Sequence, residues 1–204
     1  MSGLARTTFF KGWSCYDWRN AKTILEHAHS SEWNDVKNVL AGFRLRHSDL
    51  IAKGKGNKSA IAAAIDSKFY ERGWKERKFE TSVVVDKVSS DSPTHSVDCF
   101  KGKVALELEW NNKDPFYDRD LNNFRLLYDL RVADVGILVT RSTPLQQWLK
   151  TRHRELGKSK DTFGVSTTHF DKLEPRILGG GAGGCPVLVF AMEPDLYLDD
   201  RPAI

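Results

Sequence analysis

The sequence predicts an α/β protein, an α/β sandwich in which helices flank a central mixed β-sheet. Two patterns predict it. Across residues 18–50 the apolar positions recur at helical spacing: Ile24, Leu25 and Ala28, then Val36, Val39, Leu40 and Phe43. From residue 78 onward β-rich runs alternate with further helical stretches, and elements in that order bury their apolar faces by layering helices against a shared sheet.

The elements follow in order. Ser31, Asn34 and Asp35 mark a break and restart between two N-terminal helices. The loop K-G-K-G-N-K-S comes next, and Ser59 can cap a helix that runs from Ala60 to Gly73. K-F-E-T-S-V-V-V-D-K, residues 78–87, reads as strand, and S-S-D-S-P-T, residues 89–94, as a turn. H-S-V-D-C-F is a short strand, Lys101-Gly102-Lys103 a tight turn, and V-A-L-E-L-E-W the returning strand with one buried face. Asp118 can cap a helix to Leu130, with Leu121, Phe124, Leu127 and Tyr128 facing inward. V-A-D-V-G-I-L-V-T, residues 132–140, is a nearly continuous apolar run, as in a strand covered on both faces. A helix over about 144–154, an irregular stretch and the buried strand C-P-V-L-V-F-A-M complete the chain.

Composition narrows the class. The chain has 204 residues, 40% hydrophobic and 28% charged, enough for one substantial core. No apolar run reaches the roughly 20 residues of a membrane span, and no signal peptide is read at the N-terminus. Cys15, Cys99 and Cys185 are far apart and form no CxxC, so neither a disulfide framework nor a zinc knuckle is expected. A cytoplasmic protein without membrane partners follows. The net charge of +4 permits nucleic-acid binding without requiring it. Its lysines cluster, with Lys53, Lys55 and Lys58 in one glycine-rich loop and a second basic stretch over 149–160. G-G-G-A-G-G, residues 179–184, resembles a phosphate loop but lacks the following Lys-Ser/Thr and precedes a strand. It reads as a mobile connector, and no organic cofactor is expected. The six tryptophans read as core or interface anchors rather than base-stacking platforms.

Chemistry concentrates between residues 98 and 119. On a strand, Glu107 and Glu109 project from the same side, and two anions that close resist ionisation unless a cation joins them. Asp98 lies nine residues upstream, so the hairpin through Lys101–Lys103 brings it beside Glu107. Hard oxygen ligands at partly open coordination suit Mg²⁺, with Mn²⁺ as a substitute, and the Leu108 carbonyl faces the same ion. Immediately downstream stand Asn111, Asn112 and Lys113, then a helix carrying Arg119. Amides read base edges and cations read phosphates. An acidic metal site flanked by both is what cutting DNA at a defined sequence requires.

The block H-S-V-D-C-F-K-G-K-V-A-L-E-L-E-W-N-N-K-D-P-F-Y-D-R-D-L-N-N-F-R resembles the core of type II restriction endonucleases of the BglII and BstYI kind, in the PD-(D/E)xK nuclease superfamily. The resemblance is strongest over residues 95–141, including the V-G-I-L-V-T-R strand, and extends to G-W-K-E and C-P-V-L-V-F. It implies a single nuclease domain over 1–204, with a helical N-terminal part (1–74) and a restriction-endonuclease-like catalytic core (75–204). It further implies that Asp98, Glu107 and Glu109 are catalytic and that Asp98, Glu107 and the Leu108 carbonyl bind metal. Glu at position 109 is similar to the BamHI arrangement and leaves open whether Glu109 is the general base. Asn111 and Asn112 match base-contacting positions. Ser166, Thr167 and Thr168, before the final strand, match a second recognition loop, and Lys113, Arg119, Lys55 and Lys58 join the DNA contacts. The partners implied are double-stranded DNA and a second copy, since a homodimer matches a palindrome.

Three functions are in play: a Mg²⁺-dependent site-specific endonuclease, a structure-specific or non-specific nuclease of the same fold, and a binding module with an inert acidic site. A digestion ladder separates the first from the second, and metal-independent binding without cleavage marks the third.

Overall fold

The computed structural model describes residues 4–52, 59–91 and 94–202. Lys53, Lys55 and Lys58 lie outside them. Strands β1 (Arg6–Phe10) and β2 (Trp13–Trp18) open the chain, followed by helices α1 (Ala21–Ala28) and α2 (Ser30–Gly42). A two-residue strand β3 (Leu45–Arg46), α3 (His47–Ile51) and α4 (Ala60–Tyr70) lead to β4 (Lys75–Arg77) and the hairpin β5 (Ser82–Val85) and β6 (Val88–Asp91). Then come β7 (Val97–Lys101), β8 (Val104–Glu109), α5 (Phe116–Asp129), β9 (Val135–Arg141), α6 (Thr143–Thr151), α7 (Phe170–Leu178), β10 (Val187–Met192) and β11 (Tyr197–Leu198).

Seven strands form one mixed sheet in the order β1-β2-β10-β9-β8-β7-β4. The central pairs β8–β9 and β9–β10 are parallel and the outer pairs antiparallel. This is the α/β sandwich with a central mixed sheet that the residue pattern predicts. Helices cover both faces. Leu25, Trp33, Leu40, Ile65, Phe69 and Leu145 from α1, α2, α4 and α6 pack on one face, against Leu106, Leu108, Ile137 and Val139. Tyr117, Leu121, Phe124, Leu173 and Ile177 from α5 and α7 pack on the other, against Ala105, Leu138 and Val189. Gly136 permits the approach of α5: a Cβ there would lie 2.4 Å from Phe124.

Several expectations change. The N-terminal part is not purely helical, because β1 and β2 extend the main sheet antiparallel to β10. Strand β8 is buried on both faces rather than one, since α5 covers the side that carries the carboxylates. The reversal after β5 falls at Asp86 and Lys87, whose positive φ angles of 48° and 69° suit a two-residue hairpin turn, so residues 88–91 are strand. Asp118 does not cap α5. The helix begins two residues earlier, and Asp118 pairs instead with Arg176 at 2.8 Å. The glycine-rich segment is packed rather than loosely strung. A side chain at Gly181 or Gly183 would collide with the Arg176 carbonyl or with Arg125, so bare backbone lets the turn close against α5. Ser59 caps α4 as its position predicts, accepting from the Ala62 amide at 3.1 Å.

Candidate active site

The β7–β8 hairpin builds the acidic end of the sheet. Pairing Cys99 with Leu106 sets the register that brings Asp98 and Glu107 together. The Asp98 amide donates to Glu107 Oε2 at 3.2 Å, and the Leu108 amide donates to Asp98 Oδ2 at 3.1 Å, which ties Asp98 to β8. Glu109 follows on the same side of β8. Both glutamates are buried, at 1% and 2% exposure, so neither lies on a solvated strand face.

The residue types alone do not single out Asp120. It sits on α5 with 0% exposure and closes over the two glutamates. Burial comes first in raising all three. Glu107 is pushed well above the usual carboxylate range, further raised by the Asp120 and Asp98 charges. Glu109 is pushed up to about 9, with Asp120 as the second cause, and Asp120 to about 6 despite Arg119. Asp120 Oδ2 meets no donor while Glu109 is ionised. When protonated, Glu109 donates to the Asp120 carboxylate, and one shared proton relieves both.

Arg119 is the cation nearest this cluster. Its Nε lies 2.9 Å from Asp120 Oδ1 and its Nη2 3.5 Å from Glu109 Oε1, while its guanidinium lies over the Phe116 ring at 4.4 Å. The sequence assigned it to DNA phosphate; the structure engages it first with the acids. Lys113, the other basic candidate, lies away from them with Nζ 3.4 Å from Ser166 Oγ.

Asp98 and Arg119 line two clefts. One, of approximately 370 Å³, is lined also by Glu109, Asn111 and Asn112. The other, of approximately 340 Å³, is lined by Lys78, His95 and Ser96. A larger cleft of approximately 560 Å³ between α2 and α4 carries Arg44, Arg46 and Arg72 and none of the predicted catalytic residues.

The two predicted recognition segments lie side by side. Lys113 and Thr167 form an isolated antiparallel bridge, the Thr168 amide donates to the Asn112 carbonyl at 2.9 Å, and the Asp114 amide to the Ser166 carbonyl at 2.9 Å. Asn111 Nδ2 donates to the Thr162 carbonyl at 3.0 Å, and Asn112 Nδ2 to Glu109 Oε2 at 2.8 Å. Asn112 therefore touches a catalytic candidate directly. Of the second segment only Ser166 faces solvent. Thr167 and Thr168 are buried, at 5% and 0% exposure, so their side chains shape the loop rather than offer themselves to a base.

Among the described residues no three His, Cys, Asp or Glu side chains are gathered into a ready metal cage. The donor chemistry nevertheless fits a hard divalent cation: Asp98 and Glu107 are adjacent, Glu107 Oε1 is buried without a hydrogen-bond partner, and the cluster holds more acid than Arg119 can balance.

A carboxylate cluster at the end of a mixed α/β sheet, beside amides and cations, defines a phosphodiester hydrolase of restriction-endonuclease type. The family model described as restriction endonuclease BglII/BglIII matches residues 13–192 of this chain, and the chain belongs to that family. It is a type II site-specific endonuclease, a DNA hydrolase. No curated protein matches the chain in a sequence comparison. No helix among the described residues is long and apolar enough to cross a membrane.

Proposed function

We propose that the protein is a Mg²⁺-dependent homodimer that cuts both strands of a short DNA palindrome, with Asp98, Glu107 and Glu109 as its catalytic residues. The observation that carries this reading is Asp98, bonded to Glu107 and to the Leu108 amide, lining with Glu109 the cleft that Asn111 and Asn112 also line.

Asp98, Glu107 and the Leu108 carbonyl hold the metal. When bound, Mg²⁺ or Mn²⁺ polarises a phosphoryl oxygen and lowers the pKa of a coordinated water. Glu109 orients the attacking water and takes its proton, a task that needs its carboxylate ionised. A cation nearby favours that charged form. Arg119, at the mouth of both clefts, stabilises negative charge developing on the phosphate. Asn111 and Asn112 contact base edges, and Lys113 and Ser166 approach the DNA from the bridged second segment. Because Asn112 also donates to Glu109, a base that recruits its amide alters the hydrogen bonding of the catalytic glutamate. Reading and cutting are thereby linked. Two copies, each cutting one strand, match the two-fold symmetry of a palindrome.

Digestion of DNA of known sequence with Mg²⁺, beside Glu107→Gln, tests this. Discrete fragments that vanish in the variant are expected. A smear would move the reading to a non-specific nuclease, and binding without cleavage would end it.

A further inference from the structure

Arg141 ends β9 and is fully buried, at 0% exposure. Burying a guanidinium is costly unless a carboxylate or several acceptors meet it. Among the described residues no ion pair to a carboxylate involves Arg141. It makes three hydrogen bonds instead: Nε and Nη2 donate to the Thr168 carbonyl at 3.1 and 2.7 Å, and Nη2 donates to Thr167 Oγ1 at 2.9 Å. Its Cζ lies 5.3 Å from the Trp110 ring centroid and 5.6 Å from that of Phe163. Nη1 has no hydrogen-bond partner among the described residues, which leaves the two rings as its compensation.

These contacts join separate stretches of chain. Trp110 directly precedes Asn111, where the chain leaves catalytic strand β8. Phe163 precedes the second recognition segment and Thr167–Thr168 end it. Buried Gln146 fixes the base of that loop, its Nε2 donating to the Phe163 and Gly164 carbonyls at 2.9 and 3.3 Å, and Thr167 Oγ1 donates to Gly164 O at 2.7 Å. What remains exposed is the tip, Val165 and Ser166. A buried cation spent on the Thr168 carbonyl and the Thr167 hydroxyl, out of contact with solvent, serves shape.

We propose that Arg141 is a positioning residue for sequence discrimination, a pin that fastens the 163–168 loop to the segment running out of β8 so that Asn111–Lys113 and Val165–Ser166 meet DNA as one rigid reader. This rests on the reading of the site as a DNA-cutting one. A planar fork reaches the Thr168 carbonyl and Thr167 hydroxyl together and still lies within cation–π range of two rings; a lysine ammonium keeps the charge and loses that geometry.

The test is Arg141→Lys, with Thr167→Val as a milder variant that deletes one accepting oxygen. Wild-type digestion first defines the cognate site. Cleavage is then measured on cognate duplex and on duplexes that differ by one base pair. For Arg141→Lys, relative cleavage of the altered sites should rise about tenfold, the scale of one misaligned base contact. KM for the cognate site should rise more than kcat falls, because the lost interaction is in binding and alignment rather than in the reacting atoms. Thr167→Val should shift both in the same direction and less. Equal losses on cognate and altered sites would reduce Arg141 to a stability role and overturn the proposal. If Arg141→Lys does not fold, unchanged discrimination in Thr167→Val overturns it alone. Failure of the underlying reading shows separately, as a wild-type protein that yields no discrete fragments.

Discussion

At the ends of the neighbouring strands β8 and β9 the protein buries charge twice, with opposite surroundings. On the face that α5 covers, Glu107, Glu109 and Asp120 crowd together, and among the described residues Arg119 is the cation paired with them. On the opposite face Arg141 has carbonyl, hydroxyl and aromatic partners. Glu109 and Asp98 line an open cleft, and Asp98 is bonded to Glu107, so a cation from outside can reach the cluster. Arg141 lines neither of the two clefts beside the acids, and its partners come from the protein itself. A buried charge whose deficit faces a cleft is arranged for a ligand, whereas one whose deficit is met by the protein's own backbone is arranged for structure. The two groups should therefore respond to neutralisation with opposite signs.

The largest effect tests the acidic side. Glu107→Gln keeps the shape and removes the charge. Cleavage should fall by about 10³-fold or more, on the scale of deleting a charge-stabilising group from a transition state. The metal-free variant should nevertheless melt no lower than the wild type, because the cost of holding an ionisable carboxyl buried among other acids is lost. A clear drop in melting temperature together with retained cleavage would mean that Glu107 is a structural acid.

Arg141→Met should do the reverse to stability. It leaves the Thr168 carbonyl buried without a donor, which costs about 1–3 kcal/mol, while the Thr167 hydroxyl keeps its bond to the Gly164 carbonyl. Thermal unfolding should drop by several degrees while metal binding is retained. A variant as stable as the wild type would erase the contrast between the two sites.

Divalent metal comes next. Mg²⁺ or Mn²⁺ at a hundred times its Kd should stabilise the wild type by about 2.7 kcal/mol. Glu107→Gln should lose most of that gain, and Arg141→Met should keep it. Calorimetric or fluorescence melting with and without metal reads this directly. An unchanged wild-type melt at saturating metal would remove the metal site.

How far these features were legible depends on what each residue's pattern excludes. The apolar runs at 104–110, 132–140 and 185–192 have few readings other than strand, and the hairpin spacing brings Asp98 beside Glu107 by simple geometry. Strands β1 and β2 were not legible. Trp13–Trp18 is buried on both faces for most of its length, so W-S-C-Y-D-W shows no clean alternation. Helix α7 is short and carries an internal proline, which argues against a helix until its Phe170, Leu173 and Ile177 are seen packed on the sheet. Asp120 and Arg141 escaped for a common reason. An acid in a charged helix and an arginine at a strand end usually meet water, and only the tertiary fold takes the water away. The Asp-Arg-Asp-Leu start of the helix was the one trace of Asp120. Thr167 and Thr168 show the converse, since position in a loop does not reveal which way a side chain turns.

The smallest predicted effect, a pH profile, tests the acidic side without relying on cleavage. Burial and neighbouring anions lift Glu109 from its ordinary 4.5 to about 9 and Asp120 from 3.8 to about 6, and Glu107 is raised as well. The folded state then holds protons that the unfolded chain gives up. Stability from these groups is complete below the unfolded values and is lost as pH rises through the folded ones. The metal-free protein should accordingly melt lower as pH climbs from about 5 to about 9. Glu109→Gln should flatten the upper half of that decline, where Asp120 has already titrated, and Arg141→Met should leave its slope unchanged. Metal opposes the trend, because its ligands bind deprotonated, so stabilisation by Mg²⁺ should grow with pH over the same range. A level metal-free profile in the wild type would show that Glu107, Glu109 and Asp120 titrate alike in the folded and unfolded chain. The comparison of an incomplete acidic site with a self-contained basic one would then lose its electrostatic basis.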